Sequence, residues 1–142
     1  MSTTSTPKLL RSAPYLPVPD VRVASSHYTN VLGFVQDYVG GDPPEFAIVS
    51  RDGLAVMLRQ TAGAEAIVPN EAQGGTWDVF FWVSNLQALH EELVASGADV
   101  VYPPTVQEAY GMEEFAVRDL DGYVLGFGEV LALRDTAEEQ AL

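Results

Sequence analysis

Hydrophobic and polar positions along this chain form short strand-like and helix-like runs, and the runs occur in the same order twice. The segments Glu45 to Leu58 and Glu114 to Phe127 match without a gap, each placing an Asp-Gly pair, Asp52-Gly53 or Asp121-Gly122, between two apolar-rich runs. Asp-Gly suits the mirror-image turn of a β-hairpin, whose central residues need positive φ. Each segment is therefore predicted to be a hairpin. Upstream of the first lie a strand (Tyr15 to Val18), Asp20, a helix from Val21 to about Val31, Gly33 and a strand Phe34 to Val39. The second copy repeats this with Val79 to Val83, Asn85, a helix from Leu86 to about Ser96, Gly97 and Ala98 to Tyr102. Asp20 and Asn85 suit helix N-caps, and Gly33 and Gly97 suit the left-handed residue that closes a helix.

The pattern predicts an α+β fold. Two βαβββ modules, residues 13–60 and 77–129, form a curled mixed sheet around a cavity, with the helices on the outer face. Residues 61–76, rich in small residues and breakers, read as a linker, residues 1–12 as a flexible lead-in and residues 130–142 as an acidic tail.

Composition narrows the function classes. With 47% hydrophobic and 19% charged residues, the 142-residue chain reads as one globular domain able to bury a core. Its apolar runs are far shorter than the ~20 residues of a membrane span, and its first residues lack the pattern of a secretory signal, so the expected location is cytoplasmic. The absence of cysteine excludes disulfides, thiolate metal sites and thiol nucleophiles. A formal charge of −13 disfavours nucleic acid; its ordinary reading is solubility, and its sharper one is attraction for a cationic small molecule. Serine nucleophile elbows, phosphate loops and His-Glu-x-x-His motifs do not occur.

The stretches Leu16 to Asp20, Tyr28 to Phe34 and Tyr110 to Gly122 resemble the glyoxalase, bleomycin-resistance and dioxygenase (vicinal oxygen chelate) superfamily across residues 13–129. Leu32-Gly33-Phe34 and the hairpin Phe115 to Phe127 lean towards its bleomycin-resistance-like branch. The resemblance implies a homodimer whose ligand crevices involve both subunits. In the superfamily's metal enzymes, the first and last strands of each module supply the ligands, and these positions carried onto this chain are Ala13, Met57, Asp78 and Gly126. Of the four, only Asp78 offers a donor, so neither a metal nor another cofactor is expected. His27 and His90 fall within the two predicted helices, where they are expected to pack against the sheet.

Alternation counted from those positions sends Ala13, Tyr15, Pro17, Ala55, Met57 and Arg59 into the cavity, together with Asp78, Phe80, Trp82, Val124, Gly126 and Gly128. By the same phase Glu45, Ala47, Glu114, Ala116 and Arg118 face inward, while Phe46, Ile48, Phe115 and Val117 pack beneath the helices. The candidate ligand-binding residues are Tyr15, Met57, Arg59, Asp78, Phe80, Trp82, Glu114 and Gly126. Phe80, Trp82 and Tyr15 offer flat faces for stacking, although ordinary core packing is the alternative for Phe80 and Trp82. Glycine and alanine leave room beside them. An unpaired buried carboxylate is costly, so Glu45, Asp78 and Glu114 either meet a cationic ligand or pair with Arg59 and Arg118. The expected function is sequestration of a small cationic aromatic molecule, such as a bleomycin-type antibiotic, without catalytic residues. The alternative is a metal-dependent lyase, dioxygenase or thiol transferase that uses Asp78 with partners such as Glu114.

Overall fold

The computed structural model describes residues 5–63, 65 and 67–134. Module one comprises β1 (Tyr15–Val18), α1 (Val21–Asn30), β2 (Val35–Gly40), β3 (Phe46–Arg51) and β4 (Leu54–Gln60), and a 3-10 turn, Asn70–Gln73, lies between the modules. Module two comprises β5 (Val79–Trp82), α2 (Leu86–Ala95), β6 (Asp99–Gln107), β7 (Met112–Arg118) and β8 (Val124–Val130). The α+β architecture and its two βαβββ modules are as expected. Each module forms a four-stranded mixed sheet, ordered β1-β4-β3-β2 and β5-β8-β7-β6, in which only the first and last strands run parallel. Residues 5–14 have no regular structure, and beyond Arg134 the acidic tail lies outside the described residues.

Asp20 caps α1 as predicted, accepting from the amides of Arg22 at 3.0 Å and Val23 at 3.2 Å. Gly33 and Gly97 adopt the expected positive φ, 77° and 88°. Asn85 departs from expectation: it sits at φ 54° and its side chain makes no capping bond. The cap comes instead from the next-to-last residue of β8, where the Glu129 carboxylate accepts from the amides of Asn85 and Leu86, each at 3.1 Å.

The strand β6 continues past the predicted Tyr102 to Gln107, through Pro103 and Pro104. These prolines are tolerated because β6 lies at the sheet edge, and the pairing with β7 shifts register around them. A second difference concerns β3. Ile48 pairs with Met57 while Ala116 pairs with Gly126, so the second hairpin contains one more residue than the first. The gapless match of the two hairpins is therefore one residue out of phase on β3, and a slip of one exchanges the faces. Ala47 and Val49 are buried beneath α1, whereas Phe46 and Ile48 stand on the open face beside Arg59 and Met57. In β7 the predicted phase is found: Phe115 and Val117 are fully buried, and Ala116 lies across from Gly126.

Both modules contribute to one core. It runs from Leu16, Val18, Tyr28 and Leu58 to Leu86, Leu93, Phe115 and Leu125. Contacts between the modules reinforce it. The Tyr28 hydroxyl donates to Asp119 Oδ2 at 2.7 Å, the Tyr123 hydroxyl to the Pro17 carbonyl at 2.6 Å, and Arg51 binds both carboxylate oxygens of Glu92 at 2.6 and 2.8 Å. The helices cover one face of each sheet. The other face of each sheet is left open.

Candidate functional site

The open face of the second sheet carries a row of aromatic rings, Phe80 and Trp82 placed by the alternation of β5 and Trp77 just ahead of it. The Phe80 ring centroid lies 4.7 Å from that of Trp77 and 5.0 Å from that of Trp82, inclined at 60° and 74°. Inclined contacts of this kind match the ring quadrupoles and fix the rings relative to one another. Trp82 ends the row and is 68% exposed. Gly126 and Gly128 lie beneath it, but their missing side chains make room for protein rather than ligand. A Cβ at Gly126 would stand 2.5 Å from Trp77 Cδ1, and one at Gly128 would stand 2.6 Å from Phe80 Cζ.

Next to the row, Trp77, Tyr102, Thr105, Gln107, Tyr110 and Glu114 line a hollow of about 430 Å³, within the range of small-molecule sites. Trp77 Nε1–H donates to the Tyr102 hydroxyl at 2.8 Å, which holds the indole upright at the edge. Glu114 is only 2% exposed. One of its oxygens accepts from the Tyr110 hydroxyl at 2.7 Å, while Oε2 is buried with no hydrogen-bond partner. The bond to Glu114 pushes the Tyr110 phenol up to about 12, with burial adding to it. Burial, together with the Glu114 charge, also raises Tyr102 despite its bond with Trp77.

The candidate residues separate into two groups. Phe80, Trp82, Glu114 and Gly126 share the open face of the second sheet. Tyr15, Met57 and Arg59 share that of the first, with Arg59 above the Tyr15 ring at 5.8 Å and Met57 lining a hollow of about 540 Å³ with Ala13 and Ala55. Asp78 serves the backbone: its carboxylate accepts from the amides of Asn70 and Val124, each at 2.8 Å, and fastens the 3-10 turn to the start of β8. The expected arginine pairings are replaced too. Arg118 bonds to Glu71, with Asp99 at 3.9 Å, and neither Arg118 nor Arg59 reaches Glu114. Trp77, Tyr102 and Tyr110 are not legible from strand alternation, because Trp77 precedes β5, Tyr102 sits in an irregular register, and Tyr110 lies in a turn.

The donor set does not fit a metal of the kind used by the superfamily's enzymes. Ala13, Met57 and Gly126 offer no nitrogen or oxygen side chain, and both Asp78 oxygens are taken by backbone amides. Among the described residues no three His, Asp or Glu side chains form a group that could hold a metal ion. His27 lies on α1, where burial lowers its pKa, and His90 packs edge-on against Phe115 at 5.1 Å. No described helix is long and apolar enough to cross a membrane.

A repeated βαβββ module with one open sheet face per copy defines the class, and the sequence agrees. The chain belongs to the Glyoxalase/Bleomycin resistance protein/Dioxygenase superfamily, whose sequence pattern matches residues 9–127. No curated protein matches it. Among solved structures it is similar to the bleomycin-binding protein from bleomycin-producing Streptomyces verticillus complexed with copper(II)-bleomycin, at 27% identity and a TM-score of 0.66, covering 86% of this chain and 97% of that one. TioX from Micromonospora sp. ML1 is similar at 23% identity and a TM-score of 0.68, over 86% and 99% of the two chains. The bleomycin resistance determinant encoded on the transposon Tn5, at 18% identity and a TM-score of 0.65 over 85% and 98%, shares the fold.

Proposed function

We propose that this protein is a binding protein that sequesters a cationic, aromatic-bearing small molecule, with a bleomycin-type glycopeptide the foremost candidate, and that it works in the cytoplasm as a homodimer. The observation that carries the reading is the row Trp77, Phe80 and Trp82, open on one side and bordered by the buried Glu114 carboxylate. The rings take the flat part of a ligand, and stacking or cation–π contacts contribute roughly 0.5–2 kcal/mol each. The charge of −13 draws a cation towards the surface, so salt is expected mainly to slow association. The likeness to the Streptomyces verticillus protein supports the choice of ligand. The two open faces, each bearing exposed aromatic side chains such as Tyr15, Tyr38 and Trp82, support the dimer. A partner that lays its first sheet over the second sheet of this chain unites Tyr15, Met57 and Arg59 with Phe80, Trp82 and Glu114 in one crevice.

Titration with bleomycin, followed by tryptophan fluorescence, tests the proposal. A saturable change is expected, and Trp82→Ala should weaken binding by about tenfold or more, one decade being roughly 1.4 kcal/mol. No saturable change with bleomycin, or an unaltered affinity in the variant, rejects this assignment.

A further inference from the structure

The hollow beside Trp77 contains a charge that the fold itself does not complete. Glu114 is almost wholly enclosed, no described basic side chain reaches it, and one carboxylate oxygen lacks any partner. Leaving a buried carboxylate half-satisfied is costly, and the cost is recovered when a donor arrives. The group that covers it comes from the surface: Tyr110 sits in the turn between β6 and β7 and is itself half exposed. Two further aromatic rings, those of Trp77 and Tyr102, wall the same hollow.

We propose that Glu114 is the anchor of a subsite for a protonated amine, with the ammonium group bonded to its carboxylate and enclosed by the rings of Trp77, Tyr102 and Tyr110. An ammonium donates several hydrogen bonds in different directions and is attracted to aromatic faces, which matches a carboxylate set among three rings. Tyr110 acts as a displaceable cover: its hydroxyl occupies one oxygen in the free protein and gives way when the amine enters. The subsite adjoins the Phe80 ring through Trp77, so a ligand with a flat body and an amine-bearing arm fills both. This inference rests on the binding function proposed above and names the group that the second sheet selects.

Phenylbutylamine and the matching alcohol, titrated into the whole protein at neutral pH, test it, with the Trp77 indole N–H as the NMR reporter and calorimetry for affinity. The amine should shift the Trp77 signal saturably and bind at least about tenfold more tightly than the alcohol, with Glu114→Gln abolishing that preference. Tyr110→Phe removes the competing hydroxyl from a surface turn and should tighten the amine by about threefold, because Glu114 is then wholly unpaired in the free protein. Equal binding of the two probes, a silent Trp77 signal, or no tightening in Tyr110→Phe overturns the proposal. So does dissociation of Glu114→Gln into monomers without any response to the amine, which would assign the carboxylate to a basic side chain of a second copy. Bleomycin that fails to bind while the amine shows its Glu114-dependent shift would overturn the drug assignment alone. Bleomycin that binds wild type and Glu114→Gln equally, with the amine silent, would overturn the subsite alone.

Discussion

Gly126 shows how a single missing side chain organises the site. Its strand position is compatible with any residue, yet an added methyl would lie 2.5 Å from Trp77 and 2.8 Å from Phe80. Both are ring atoms at an open face, so the rings tilt while the strand stays. Gly126→Ala is therefore expected to cost no more than about 1–3 kcal/mol in a urea melt while shifting tryptophan emission and weakening bleomycin binding. Unchanged emission together with unchanged affinity would show that ring placement does not depend on this glycine. Alternation made Phe80, Trp82 and Gly126 legible in the sequence, since a regular strand fixes which face each side chain takes. The partners of Asp78 are not legible in the same way, because its carboxylate accepts from two backbone amides instead of an arginine, and no side-chain pattern reveals that. Tyr110 and Glu114, four residues apart across a turn, illustrate a contact that depends on how the chain reverses.

At the scale of elements, α2 depends on a residue outside itself. Glu129 on β8 supplies the cap that Asn85 does not, and Arg134 holds the same carboxylate at 2.6 Å. Burial pushes Glu129 up, but Arg134 and the two amides outweigh it and hold the carboxyl below the usual glutamate range. Its stabilising effect is thus present above the unfolded pKa and lost as pH falls through the lower folded value. Glu129→Ala is expected to destabilise the protein by about 1–2 kcal/mol in urea at neutral pH, the range of a lost cap. A change near zero would mean that water caps α2 equally well. Helices, strands and the places of both hairpin turns were readable from periodicity and turn chemistry, although only the first turn has the expected positive φ at both residues: Asp52 and Gly53 take it, whereas in the second only Gly122 does. The face of β3 was not, since one extra residue in the second hairpin leaves the similarity of the two sequences intact while reversing the phase.

For the molecule as a whole, acidity is stored where the modules meet. Asp121 is pushed up to about 6, first by burial and then by the neighbouring Asp119, against an ordinary value of 3.8. Burial also raises Asp119, despite its bonds from Tyr28, Tyr123 and Asp121. A carboxyl whose folded pKa is raised binds more protons folded than unfolded, so its contribution favours the fold at low pH and is lost as pH climbs from about 4 through about 6. Asp121→Asn should accordingly raise the melting temperature at neutral pH and lose that advantage below pH ~4. Parallel melting profiles of variant and wild type across this range would place the pH dependence elsewhere.

The ties on the helix side have a consequence for the covalent chain. Tyr28–Asp119, Tyr123–Pro17 and Arg51–Glu92 link the halves through residues remote in sequence, and none of them involves the backbone around Gly63. The peptide that joins the modules therefore acts chiefly as a tether, raising the concentration at which one half meets the other. Residues 1–63 and 64–142, produced as separate polypeptides in one cell, are expected to complement each other and co-purify as an unlinked pair. Recovery of each fragment alone would show that the tether, and not the shared core, keeps the halves together.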